Sequence, residues 1–283
     1  MKSRTLVSGR VRAMEYGVPS VALAAQALKL LSRHKYRSSS LKVIATRLDA
    51  SPTTCLRILR SLEREDFVRY DRETRKYSLG PYLIPLGNRA AELNDAFARA
   101  AAEIKRVAAQ TGLITALVQR WDDLPVFIAS AEPPADDNRF TRLSISIGEA
   151  IPLTAGAHGR CFLAFDDEAE WQRHIAAGLR PITPTTITDA AQFVEALRKV
   201  RRQGYAISDG EFHRGATAVD APIFGKTGQV ELVISSVCIT SQLDERHLGN
   251  VVTTVRAAAR RLSEWNGYTP HAGDEAATEA ALV

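Results

Sequence analysis

The sequence predicts an α+β chain in two parts, three helices and a β-hairpin first, then a mainly antiparallel sheet with helices of its own. Three observations carry this. Between residues 20 and 66, apolar residues recur at helical spacing three times, with a break between runs. Beyond residue 110, short strand-like runs alternate with helical stretches and turns, the pattern of an α+β unit. Charge is divided in the same way: residues 1–80 hold 17 Lys and Arg against 7 Asp and Glu, and the remainder holds 20 against 25. At 283 residues the chain exceeds what one ordinary domain needs.

Composition narrows the classes. With 45% hydrophobic and 24% charged residues the mix is globular, which excludes a wholly disordered or fibrous protein. The apolar stretch VALAAQALKLL is broken by Gln26 and Lys29, short of the roughly 18 residues a membrane span requires, so no membrane partner is expected. The opening residues are basic but lack an apolar run of signal-peptide length, so export is not expected. Cys55, Cys161 and Cys238 lie far apart without CxxC spacing, and signal neither a disulfide framework nor a zinc knuckle. A cytoplasmic location follows as the expectation.

The first helical stripe is Ala24, Ala27, Leu28 and Leu31, and the second is Leu41, Ile44, Ala45 and Leu48. The third run has its own start signal. Ser51 suits an N-cap and Pro52 the first helical position, where no donor is missed. At about 100° per residue, Cys55, Ile58, Leu59 and Leu62 gather on one face and Thr53, Arg57, Arg60 and Arg64 on the other. Only Asp49–Ala50 separates the second helix from the third, short enough for a helix-turn-helix whose second member lies in a DNA major groove. Strand candidates Phe67–Tyr70 and Lys76–Leu79 then flank the polar turn Asp71–Arg75, giving a basic wing. Double-stranded DNA is the expected partner, since phosphates neutralised by Lys and Arg release counterions. The expected contacts are Ser51, Thr53, Thr54, Arg57 and Arg60 on the helix and Arg72, Arg75 and Lys76 on the wing.

After the wing, Leu83, Leu86, Ala90, Leu93 and Phe97 mark a linker helix, with Pro85 expected to end or kink it near the preceding residue. A second helical stretch runs from Asn94 to Gln110. Strands are predicted at Ile114–Gln119, Pro125–Ser130, Arg142–Ile147, Tyr205–Ser208, Thr217–Phe224 and Val230–Ile239. Helices are predicted at His158–Phe165, Asp167–Ala177, Asp189–Arg202 and Gln242–Asn266, with Thr188-Asp189 and Thr240-Ser241 as caps.

No GxSxG elbow, HExxH pair or phosphate loop occurs, so an enzyme is not expected. GKTG at Gly225–Gly228 lacks the Walker lead and reads as a hairpin turn. Asp209, Glu211 and His213 would share one side of a strand, but an exposed polar loop has the same composition. Neither metal nor cofactor is expected.

The run from Ser20 through LKVIATRLDASPTTCLRILRSLEREDFV to YSLGPYLIPLG resembles the N-terminal winged helix of the IclR family of bacterial transcription regulators. The resemblance continues through GEAIPLTAGAHGRCFLAF and RRQGYAISDGEF to APIFGKTGQVELVISS, and covers Ser20 to Trp265. It implies a winged helix-turn-helix DNA-binding domain at 18–80, a linker helix at 81–98 and a GAF/PAS-like effector-binding domain at 99–268. A basic N-terminal tail (1–17) and a flexible C-terminal tail (269–283) would flank them. It also implies a homo-oligomer, dimer or tetramer, and an effector held by Ala157 and His158, by Ser208 and Asp209, by Ala218, and by Ser235 and Ser236. A one-residue shift exchanges which of these two serines points inward. His158 stands where the family commonly has a small or aliphatic residue. Residues 138–147 with PLTAGAHGR are similar to members that control aromatic-acid breakdown, so the expected effector is a small carboxylic acid from a catabolic route. The alternative is a ligand-binding or metabolic protein whose winged helix serves protein contacts.

Overall fold

The computed structural model describes residues 17–135, 137, 140 and 143–269. The tails expected at 1–17 and 269–283 fall outside these residues, apart from Gly17 and Thr269. The chain divides into two compact units at Ala90 and Ala91.

The first unit runs α1 (Pro19–Leu31), a 3-10 turn at His34–Tyr36, β1 (Ser39–Ser40), α2 (Leu41–Arg47), α3 (Pro52–Arg64), β2 (Val68–Asp71) and β3 (Lys76–Leu79). The tight turn between α2 and α3 is built by Asp49, whose φ of 48° places it in the left-handed region. The Ala50 amide can then reach back to the Ala45 carbonyl at 3.1 Å, which closes α2 as a Schellman turn. Ser51 caps α3 as its sequence predicts, its hydroxyl accepting from the Thr54 amide at 3.1 Å. Leu30, Leu31, Ile44, Leu59, Val68 and Tyr77 form the core.

The wing is a three-stranded sheet in the order β1-β3-β2, antiparallel throughout. Two serines carry no alternation to read, so the sequence does not predict β1. At the tip, Asp71 accepts from the Glu73 and Thr74 amides, and its bonds to Thr74 and Glu73 hold its carboxyl below the usual range. Gly80 follows β3 where no side chain fits, since a Cβ there would lie 2.1 Å from the Asp66 carbonyl oxygen.

Next come α4 (Leu83–Glu92) and α5 (Asp95–Thr111). The break falls at Leu93–Asn94 rather than before Pro85. Pro85 is the third residue of α4, within the first turn, where its missing donor is not needed. Asn94 starts the next helix by accepting from the Phe97 amide at 2.9 Å.

The second unit contains β4 (Ile114–Trp121), β5 (Leu124–Ala131), α6 (Gly156–Leu163), α7 (Glu168–Ala176), α8 (Ala190–Gln203), β6 (Ala206–Asp209), β7 (Ala216–Phe224), β8 (Val230–Ile239) and α9 (Glu245–Trp265). Its strands form one antiparallel sheet in the order β5-β4-β8-β7-β6. Strand alternation feeds two cores. Leu117, Val219, Ile234 and Cys238 pack with α5 and α9, while Ala116, Val118 and Val233 face α6, α8 and Trp171 of α7.

Three expectations need correction. The strand expected at Arg142–Ile147 does not form: Arg142 lies outside the described residues, and Leu143–Ile147 is irregular. Gly148, at φ 82°, turns the chain, and the pairing with β5 begins only there, through Gly148 N to Phe127 O and Ile151 N to Pro125 O. Helix α9 is capped by Asp244, which accepts from the His247 amide at 2.7 Å, and not by Thr240-Ser241, which lie at the start of a 3-10 turn. The third concerns two effector residues and is given below. Asp189 caps α8 as expected, and Gly225–Gly228 is the β7–β8 turn.

Candidate nucleic-acid interface and effector site

Helix α3 is amphipathic because Cys55, Ile58 and Leu59 are buried, which leaves Thr53, Arg57, Arg60 and Arg64 exposed on the opposite face. Ser51 and Thr54 are also exposed, but their hydroxyls lie 2.8 Å apart and Ser51 is committed to the cap. On the wing, Arg72, Arg75 and Lys76 are all exposed, and a φ of 54° at Arg75 sets the turn. Among the described residues no ion pair holds Arg57, Arg60, Arg72, Arg75 or Lys76. Five cationic side chains on a helix and a hairpin of the same unit are therefore available to phosphates and base edges.

The second site is built around the start of α6, a helix buried along its whole length. Ala155 at the N-cap offers no side-chain bond, so the first amides of α6 are uncapped by any side chain. The helix can lie this deep because residue 159 is glycine: a Cβ there would fall 1.9 Å from the Leu153 carbonyl oxygen. His158 projects from the first turn, with Nδ1 2.6 Å from Oδ2 of Asp220 on β7. The two side chains are 5% and 0% exposed. Close as it is, this contact lacks hydrogen-bond alignment, and His158 Nδ1, both Asp220 oxygens and the Ser235 hydroxyl have no hydrogen-bond partner.

Sheet register explains why these atoms meet. Ala206 pairs with Asp220, Asp220 with Ser235, and Ser235 with Ala116, so one row across four strands reads Ala-Asp-Ser-Ala on the α6 face. The flanking alanines are buried in the core that packs against α6. Phe127 meets the His158 ring edge-on at 5.5 Å, and Phe212 lies beside Gly156.

The expected effector residues divide between the two faces. Ala157, His158, Ser208 and Ser235 are buried together on the α6 side, and Ala218, paired with Ser208, shares that face. Ser236 points to the other side and bonds Thr115 at 2.9 Å, which resolves the choice between the two serines. Asp209 is likewise on the far side, exposed, and its Oδ1 accepts from Thr217 and Thr240 at 3.3 and 2.9 Å. The alternation of a strand forces both corrections.

Two further groups were missed. Asp220 carries no motif; its only sequence signal is a carboxylate inside the apolar run TAVDAPIF. Arg160 grips Glu211 through two bonds of 2.5 and 2.8 Å and also donates to the Ile207 carbonyl. Glu211, one of the Asp209, Glu211 and His213 trio, is thereby committed to Arg160. His213 stands exposed, 4.0 Å from Glu149, and no group of three metal-ligating side chains occurs among the described residues. No helix among them is long and apolar enough to cross a membrane.

A winged helix-turn-helix with a free cationic face, followed by a sheet unit enclosing unbonded polar groups, defines a DNA-binding regulator with a separate sensor unit. Residues 89–264 match the family model described as bacterial transcriptional regulator IclR C-terminal, and the chain belongs to the IclR family. It is similar to the IclR transcriptional regulator from Alicyclobacillus acidocaldarius, at 51% identity and a TM-score of 0.81 over 89% of this chain and 100% of that one. It is 29% identical to the glycerol operon regulatory protein of Streptomyces griseus over 88% of this chain and 97% of that protein. It is 25% identical to the HTH-type transcriptional regulator XynR of Escherichia coli K12 over 89% and 99% of the two chains. These relatives are transcription regulators, and this chain is a transcription regulator rather than an enzyme.

Proposed function

We propose that the chain binds the operator of a catabolic operon as a dimer, and that a small organic acid, aromatic or short-chain, held in the second unit controls that binding. In this reading residues 18–80 are the DNA-binding domain, 81–98 the linker and 99–268 the effector domain. Arg57 and Arg60, with Ser51, Thr53 and Thr54 around the helix start, approach the bases, while Arg72, Arg75 and Lys76 meet phosphate. The name of the Streptomyces relative supports a catabolic target. Exposed Val18 and Val21 on and beside α1, and Ile84 and Leu86 on α4, support pairing of two chains. Cytoplasmic location fits this role.

The observation that carries the effector reading is the set of enclosed, unbonded atoms on His158, Asp220 and Ser235. Leaving such a group unbonded costs roughly 1–3 kcal/mol, which a polar ligand removes. Helix-start amides and an imidazole N–H suit a carboxylate. Ala157, Ser208 and Ala218 complete the surroundings, without Asp209 and Ser236.

Titrating the full chain with a panel of small carboxylic acids tests this. An acid at 100 times its Kd stabilises the native state by about 2.7 kcal/mol and raises the melting temperature. His158→Ala abolishes the rise and leaves operator binding intact. A panel without a single shift, or an unchanged shift in the variant, overturns the effector site; a monomer by sedimentation with and without DNA overturns the dimer.

A further inference from the structure

An acid-binding pocket needs donors, yet Asp220 supplies two acceptor oxygens at its centre, fully buried and without a hydrogen bond. A bare carboxylate ligand would leave Oδ1, which lacks even the 2.6 Å imidazole contact of Oδ2, unsatisfied and would add a second negative charge beside it. We propose that Asp220 selects effectors carrying a hydroxyl next to the acid group, so that the ligand class of this site is the small hydroxy acids. This rests on the effector reading above.

The arrangement assigns a partner to each end of such a molecule. The α6 amides, His158 and the Ser235 hydroxyl serve the carboxylate, and Asp220 accepts a hydrogen bond from the ligand hydroxyl. Register places Asp220 and Ser235 directly opposite on adjacent antiparallel strands. Directly opposed residues have Cβ atoms about 4.5–5.5 Å apart. The His158 imidazole already lies 2.6 Å from Asp220 Oδ2, so the ligand hydroxyl shares this carboxylate with the imidazole.

Matched acids that differ in one hydroxyl decide the matter by calorimetry on the full chain: glycolate against acetate, lactate against propionate, mandelate against phenylacetate. Among pairs that bind, the hydroxy member is tighter by at least about tenfold, the worth of a bond to a buried charged acceptor. In Asp220→Ala the ratio collapses to within about threefold while the plain acid still binds. Asp220→Asn, which keeps the shape, narrows the ratio and serves if the alanine variant does not fold. Equal affinities within the pairs, a ratio unchanged in both variants, or preference for alanine over lactate overturns the inference and leaves the acid-binding reading standing. Absence of binding by every member of every pair overturns both.

Discussion

Arg160 and Glu211 form a two-bond ion pair, with side chains only 5% and 9% exposed, that fastens α6 to the loop following β6. The same loop is held from its far side, where Thr186 Oγ1 donates to the Glu211 carbonyl at 2.8 Å and Thr185 Oγ1 to that of Asp209 at 3.1 Å. The segment that carries Phe212 toward the effector site is thus fixed by charge in a place with little water.

Removing one partner of that pair strands the other. Arg160→Met leaves a buried carboxylate and is expected to cost about 3–5 kcal/mol, whereas Arg160→Met with Glu211→Leu recovers much of the loss. Urea unfolding measures both, and a single variant as stable as the parent would contradict this account.

On DNA, the helix and the wing are expected to fail differently. Arg57→Ala or Arg60→Ala costs about 1–3 kcal/mol of preference for the operator over random sequence. Lys76→Ala weakens binding to every sequence alike and lowers the salt slope by about one. Equal losses on operator and random DNA for all three would show that no division of labour exists.

The α3 cap is a local device. Ser51→Ala removes the acceptor of the Thr54 amide and is expected to cost about 1 kcal/mol. Faster hydrogen exchange at the Thr54 amide, with that of the second unit unchanged, is the signature to look for.

His174 makes the second unit sensitive to acid. Burial, and then Arg173, push its imidazole below the ordinary 6.5; Arg173 Nη2 lies 3.0 Å from Nε2 and Asp123 Oδ1 3.5 Å. Arg120 works in the same direction, while Asp123 and Glu170 oppose it. The unfolded chain then takes up the proton more readily than the folded one. Stability from this group is complete above about 6.5 and is lost as pH falls through that value toward the folded-state one. Between pH 7.5 and 5.5 the wild type should lose more melting temperature than His174→Gln, and a parallel decline in the two would refute it.

The cysteines are expected to be inert. All are buried, burial pushes Cys238 up to about 11, and Cys161 rises well above its ordinary value, with burial the main cause and Asp220 adding to it. A thiol reagent at pH 8 should label the native chain far more slowly than the chain in denaturant; equal rates would refute the burial.

What the sequence determined by itself is the local and periodic part. The cap at Ser51, the basic face of α3, the wing and the long strands of the sheet are set by residue spacing and turn chemistry within a dozen residues, so the helices, turn and hairpin of the first unit are legible before any packing is known. Tertiary structure decided the rest. Leu143–Ile147 alternates like a strand but finds no regular partner, since Gly148 redirects the chain. Ser235 and Ser236 are equivalent as letters, and only the register with Asp220 and Ala116 turns one toward α6 and the other toward Thr115. Asp220 and His158 lie 62 positions apart, as Arg160 and Glu211 lie 51 apart, and no spacing rule links such pairs. Their meeting is fixed by helix α6 crossing an antiparallel sheet, a long-range packing event in which a carboxylate acquires its meaning from the strand opposite.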